Sequence, residues 1–202
     1  MPRIFAALIA LVAWVALAVQ YRATLGLADS VPQALWVLLR YFTVMTNLLV
    51  AVVMTGIALD RPRFGAPILL GFVTLSILLV GIVYMTLLRG MLELSGGALL
   101  ADALLHKCVP LLVPSFWLAF APKGQLGWRD PWWWSLYPCA YFAYALMRGS
   151  AEGAYAYPFI DLGTLGPARV AINAAAIAAA FLAAGFGFVA LDRALARRAP
   201  RG

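Results

Sequence analysis

His106 is the only histidine in a chain of 202 residues, and its surroundings make it a candidate base. Asp102 lies one helical turn earlier, on the same face of any helix through this segment, where a carboxylate could orient the imidazole. Far upstream, the run Leu38 to Val50 (LLRYFTVMTNLLV) carries Arg40, Thr43, Thr46 and Asn47 within an otherwise apolar stretch. Polar side chains are expensive at membrane depth and normally face a protein interior, a cavity or a reactive site. At 100° per residue Arg40, Thr43 and Asn47 share one face of a continuous helix. A hydroxyl becomes an effective nucleophile when an adjacent base takes its proton. Thr43 as nucleophile, His106 as base, Asp102 as orienting carboxylate and Arg40 as oxyanion or acidic head-group partner therefore form a constellation suited to acyl transfer. Ser115 is a poor alternative, because its position along the same helix puts it roughly 13 Å from His106.

The same residues admit blander readings. Threonine in a membrane helix usually bonds back to a carbonyl one turn earlier, a lone buried histidine is often a packing residue, and Arg40 with Asp102 would make a structural ion pair. Asp102 and His106 could ligate a metal with Asp161 as a third ligand, but no dedicated spacing supports this. No metal and no other cofactor is expected. Tyr137, Tyr141 and Tyr144 recur at helical spacing and read as core, while Tyr144 and Arg148 are also candidates for the outer mouth of a substrate site. Cys108 and Cys139 lie in apolar segments and form no disulfide framework.

The elements that must position these groups are set by composition. Hydrophobic residues make up 65% of the chain and charged residues 11%, against about 45–50% and 25% in soluble domains. A chain so poor in charge cannot cover a water-facing surface, so lipid is its expected solvent. The net charge of +7 is then a matter of membrane orientation and not of nucleic-acid binding. Six segments approach the roughly 20 residues a crossing helix needs: 4–20, 32–59, 66–88, 99–120, 131–148 and 167–191. Arg3 with Ala16-Leu17-Ala18 also fits a cleaved signal peptide; the first segment is read here as a retained helix. Ser30 and Pro32 are start signals for the second, Pro110 and Pro114 tend to kink the fourth, and Trp132-Trp133-Trp134 anchors the fifth at an interface. The connection Gly149 to Gly166, with Tyr157 and Asp161, is long enough to be functional.

Arg3, Arg61, Arg63, Lys123, Arg129, Arg193, Arg197, Arg198 and Arg201 collect on one side of this scheme, against Arg22, Arg89, Arg148 and Arg169 on the other. The excess marks the cytoplasmic side, so both termini are expected inside. Along straight helices, Thr43 lies roughly 15 Å below its helix start and His106 roughly 10 Å below its own, so the two reach overlapping depths in the outer half of the membrane.

Three separated pieces of the chain resemble the androgen-induced, FAR-17a-like family of multi-pass membrane proteins. They are Arg40-Tyr41-Phe42-Thr43, then Asp102 to Pro110 (DALLHKCVP), then Tyr157 to Asp161 (YPFID) with Gly166-Pro167-Ala168-Arg169. That family includes human enzymes that hydrolyse fatty acid esters of hydroxy fatty acids, and bacterial six-helix relatives. The resemblance implies a threonine nucleophile at Thr43 and a histidine base at His106, both within the membrane. Vertebrate members carry Asn at the position of Asp102, a second histidine between it and the catalytic one, and Thr where this chain has Lys107.

Taken together, the chain is expected to be all-α: a single integral membrane domain, a six-transmembrane-helix bundle without sheet, located in a bacterial inner membrane. The expected activity is hydrolysis of a lipid ester, with Thr43, His106 and Asp102 catalytic and Arg40, Asn47, Tyr144, Arg148, Tyr157 and Asp161 binding substrate. The alternative is a non-catalytic lipid-binding or transport protein with a structural polar cluster. Expected partners are membrane lipid and the ester itself, with no nucleic acid and no obligate protein partner.

Overall fold

The computed structural model describes residues 1–91 and 93–198, and every regular element among them is helical. Arg201, counted above with the basic C-terminal tail, lies outside the described residues. The chain divides into two compact units, residues 1–125 and 126–202.

The first unit contains α1 (Pro2–Leu25), α2 (Val31–Leu38), α3 (Phe42–Ala58), α4 (Pro67–Val83), α5 (Gly96–Ala103) and α6 (Val109–Phe120). Its central packing is α1 along α3. Ala6, Ala10, Ala13 and Ala16 recur at helical spacing on the buried side of α1, and small side chains let two helices approach closely where lipid offers no hydrophobic drive. Trp14 Nε1 donates to Thr55 Oγ1 at 3.1 Å across this contact. Arg3, at the start of α1, pairs with Asp60, just beyond the end of α3. Large apolar side chains face outward on the helices of this unit, including Leu11 on α1, Ile82 on α4, and Leu111 and Leu118 on α6. Buried small residues with exposed large apolar ones fit an integral membrane protein.

The segment expected as one helix over 32–59 is broken. Ser30 caps α2 as its sequence suggests, its Oγ accepting from Gln33 N at 3.4 Å. The helix then stops at Leu38, tightens through Arg40 N to Val37 O and Tyr41 N to Leu38 O, and restarts at Phe42 after an extended Tyr41. The two halves are bent by 94°. Arg40 therefore sits in the break and not on a common helical face with Thr43 and Asn47, and the depth reckoned along a straight helix does not apply. Thr43 is instead the second residue of α3.

Two turns are wider than α-helical. Leu104–Cys108, between α5 and α6, and Tyr84–Leu88, after α4, are π-helical; Arg89 N reaches back five residues to Tyr84 O at 2.8 Å. Pro110 accounts for the first. Its ring would clash with the carbonyl of the residue four before it, His106, and it supplies no amide for that carbonyl. The helix answers by widening, so the expected kink is a π turn that carries His106 at its centre.

In the second unit, α7 (Asp130–Glu152) extends past the expected end at 148 and is closed by Gly153 with φ 67°. A 3-10 turn, Pro158–Ile160, leads to α8 (Leu162–Arg198), which is interrupted at Gly166 with φ 72° before Pro167 opens its long portion. Most of the expected Gly149–Gly166 loop is thus structured. Ala145, Ile160 and Val170 form its core, flanked by Tyr141, Tyr155, Tyr157 and Phe159.

Among the described residues, α1, α4 with its π turn, α5 through α6, and α8 are long and apolar enough to cross a membrane, with bent α2–α3 as a fifth. Helix α7, with 23 residues, has the length, but its tryptophans, tyrosines, Arg148 and Glu152 hold its hydropathy down. Overfilling the α1–α3 contact tests this packing. Ala13→Leu, at a fully buried position, should destabilise the protein by about 1–3 kcal/mol, read as a lower thermal midpoint in detergent. Leu11→Ala, on the exposed face, should leave it unchanged.

Candidate active site

Thr43, Asp102 and His106 meet within the first unit. Thr43 Oγ1 is 3.2 Å from His106 Nε2. His106 Nδ1 is 3.1 Å from Asp102 Oδ1 and 3.2 Å from the Asp102 carbonyl oxygen. A backbone carbonyl can only accept, so Nδ1 carries the proton. In the neutral ring Nε2 is then the bare nitrogen, facing the threonine hydroxyl. That is the tautomer a general base needs. Thr43 and Asp102 are both buried, and the His106 side chain keeps 18% of its exposure.

Asn47, expected to bind substrate, bridges two backbone carbonyls. It is fully buried, and its Nδ2 donates to Thr43 O at 2.9 Å and to Leu105 O at 3.3 Å. One carbonyl belongs to the nucleophile candidate and the other to the residue before His106, so this amide ties α3 to the π turn. Arg40 is half-buried in the α2–α3 break, three residues before Thr43.

Tyr84 was not singled out by sequence. Its hydroxyl donates to Asp102 Oδ2 at 2.6 Å, and its ring stacks on the His106 imidazole with centroids 4.3 Å apart and planes 16° apart. No motif marks it, because its register depends on how α4 packs against α6. Lys107 Nζ lies 3.9 Å from Asp102 Oδ2 and 5.6 Å from the centre of the Tyr84 ring.

The other expected substrate-binding residues belong to the second unit and are engaged there. Arg148 donates from Nε to Glu152 Oε1 at 2.7 Å and from Nη1 to the Tyr144 hydroxyl at 2.8 Å. Tyr157 stacks on Phe159 with planes 4° apart. Asp161 caps α8: Oδ2 accepts from the Thr164 hydroxyl at 2.8 Å, and Oδ1 accepts from the amides of Thr164 and Gly163. The Thr164 hydroxyl, with those amides, holds this exposed carboxyl below the usual carboxylate range. Among the described residues, no group of three or more His, Cys, Asp or Glu side chains is placed to hold a metal ion.

Removing the Asn47 clamp should be costly. Asn47→Ala leaves two buried carbonyls without their side-chain donor, so a loss of about 1–3 kcal/mol is expected, measured by thermal unfolding in detergent; an unchanged midpoint would mean that the clamp carries no weight. Comparison with protein-family models, with curated proteins and with solved structures finds no match to this chain.

Proposed function

We propose that the chain is an integral membrane hydrolase of lipid esters, with Thr43 as nucleophile and His106 as base. The observation that carries this reading is the 3.2 Å approach of Thr43 Oγ1 to His106 Nε2, with Nδ1 turned toward its acceptors on Asp102. In the first half-reaction Thr43 Oγ1 bonds to the ester carbonyl carbon while its proton passes to Nε2. Asp102 stabilises the imidazolium that results. Collapse of the tetrahedral intermediate breaks the bond to the alcohol oxygen, which leaves with the proton from Nε2, and the acyl group stays on Thr43. Water then adds to the acyl carbon as His106 takes one of its protons. The second collapse frees the fatty acid and returns that proton to Thr43. The N-terminal end of α3 places partial positive charge beside Thr43, where an oxyanion would form.

The substrate class, a fatty acid ester of a hydroxy fatty acid or a similar lipid ester, comes from the family resemblance carried by the three motif pieces. Arg40, three residues before Thr43 and half-buried in the helix break, is the candidate partner for an acidic end of such a lipid.

The membrane arrangement that accompanies this reading has six crossings: α1, α2 with α3, α4, α5 with α6, α7, and α8. Helix α7 crosses with the exposed Trp132 and Trp133 at the interface, where indole is favoured, while Trp134, also expected there, is buried against Phe188. Six crossings with the basic residues inside put both termini in the cytoplasm. Reporter fusions after Leu59 and after Ala121 should read cytoplasmic, and one after Gly26 should read external; the opposite pattern would reverse the orientation.

A second reading has its own support. Thr43 is only 6% exposed, and its hydroxyl contact to His106 joins separate helical segments, as expected for a structural polar cluster in a lipid-binding or transport protein. Labelling separates the two. A lipophilic fluorophosphonate should modify the wild-type protein, and Thr43→Ala and His106→Ala should each slow labelling by at least about 100-fold. Undiminished labelling of folded Thr43→Ala would rule out the threonine mechanism.

A further inference from the structure

Asp102 presents two carboxylate oxygens with separate partners. Oδ1 is 3.1 Å from His106 Nδ1, and Oδ2 accepts the Tyr84 hydroxyl at 2.6 Å. A carboxylate rotates freely about its last side-chain bond unless both ends are held. With Oδ2 pinned by the phenol, the carboxylate plane is set and Oδ1 is directed at Nδ1. The imidazole has its own rotational freedom, and the Tyr84 ring lies against its face at 4.3 Å, which blocks rotation away from Thr43. One side chain thereby removes a torsional freedom from each of two others.

The close approach of α4 makes this possible. A Cβ on Gly81, one turn before Tyr84, would lie 2.8 Å from Pro110 Cβ and 3.6 Å from His106 O. Glycine at 81 lets the α4 backbone come against the turn that carries His106. Lys107, whose side chain is 42% exposed, stands 3.9 Å from Oδ2, beyond a short charge-assisted hydrogen bond, so the phenol is the closer partner of that oxygen.

We propose that Tyr84 is the positioning residue of this site: it fixes the Asp102 carboxylate and the His106 ring together, so that Nε2 is held toward the Thr43 hydroxyl. The kinetic consequence rests on the hydrolase reading; the effect on His106 does not. Misplacing a base by a fraction of its hydrogen-bond length costs up to about a hundredfold in rate.

Because the chain has one histidine, a protein labelled with 15N-histidine reports a single imidazole by NMR. In wild type, that ring should carry its proton on Nδ1, and its carbon-bound protons should be shifted upfield by the stacked phenol. Tyr84→Phe keeps the ring and loses the hydroxyl. It should retain the upfield shift, admit the Nε2–H tautomer, and lower the maximal rate of fluorophosphonate labelling tenfold or more without changing the probe's reversible affinity. Tyr84→Leu should also lose the upfield shift. A folded Tyr84→Phe protein with the wild-type tautomer and labelling rate would overturn the proposal. Should Tyr84→Leu fail to fold, the wild-type spectrum and Tyr84→Phe still decide, and a wild-type imidazole without the upfield shift overturns the stack. A wild-type protein that is not labelled, yet whose imidazole responds to Tyr84→Phe as described, overturns the hydrolase reading alone and sustains the positioning role.

Discussion

The amide of Asn47 is the constraint on which the arrangement of the first unit turns. It is fully buried and spans two backbone carbonyls on separate segments, Thr43 O and Leu105 O. A buried amide without partners is strongly disfavoured in apolar surroundings, and the same low dielectric strengthens the bonds it makes. The position of α3 relative to the Leu104–Cys108 turn is therefore tightly defined. Thr43 and His106 inherit that definition, since one supplies a bonded carbonyl and the other directly follows the residue that supplies the second. Their 3.2 Å approach is a local consequence of a backbone clamp.

Around this clamp, departures from regular helix do the positioning. The break at 39–41 turns the chain by 94° and starts α3 at Phe42, so Thr43 stands in the first helical turn and not halfway along a straight span. The π turn before Pro110 rotates His106 relative to a regular helix, and the second π turn begins at Tyr84. Such turns add a residue without adding a hydrogen bond of good geometry, and they concentrate where a side chain must be re-aimed. Here the two of them carry residues that stack on one another.

The second unit follows the ordinary economy of loops and caps. Asp161 caps a helix, Arg148 is bonded to Glu152 and Tyr144, and Gly149 has no side chain because a Cβ there would lie 2.2 Å from the Tyr155 ring. Arg148 and Asp161 stand out because charge is scarce in so apolar a chain, at 11% of residues. Their contacts show how such groups are satisfied when a connecting segment folds back on a helix end.

From its residues alone, the chain determined the helical class, the apolar stretches of α1, α4, α5 with α6, and α8, the Ser30 cap, and the pairing of Asp102 with His106 one turn apart. Each of these depends on neighbours close in sequence: hydropathy over a window, a capping hydroxyl, or an i, i+4 spacing. Thr43 and His106 were picked out by residue type and by depth along straight helices, but they meet by another route, through a break that no proline or glycine announces in LLRYF. Tertiary structure alone decided that break, the recruitment of Tyr84, and the conversion of Asn47 from a polar face residue into a clamp. All three depend on which helix lies against which, and on where a buried donor such as Asn47 Nδ2 finds acceptors across that contact.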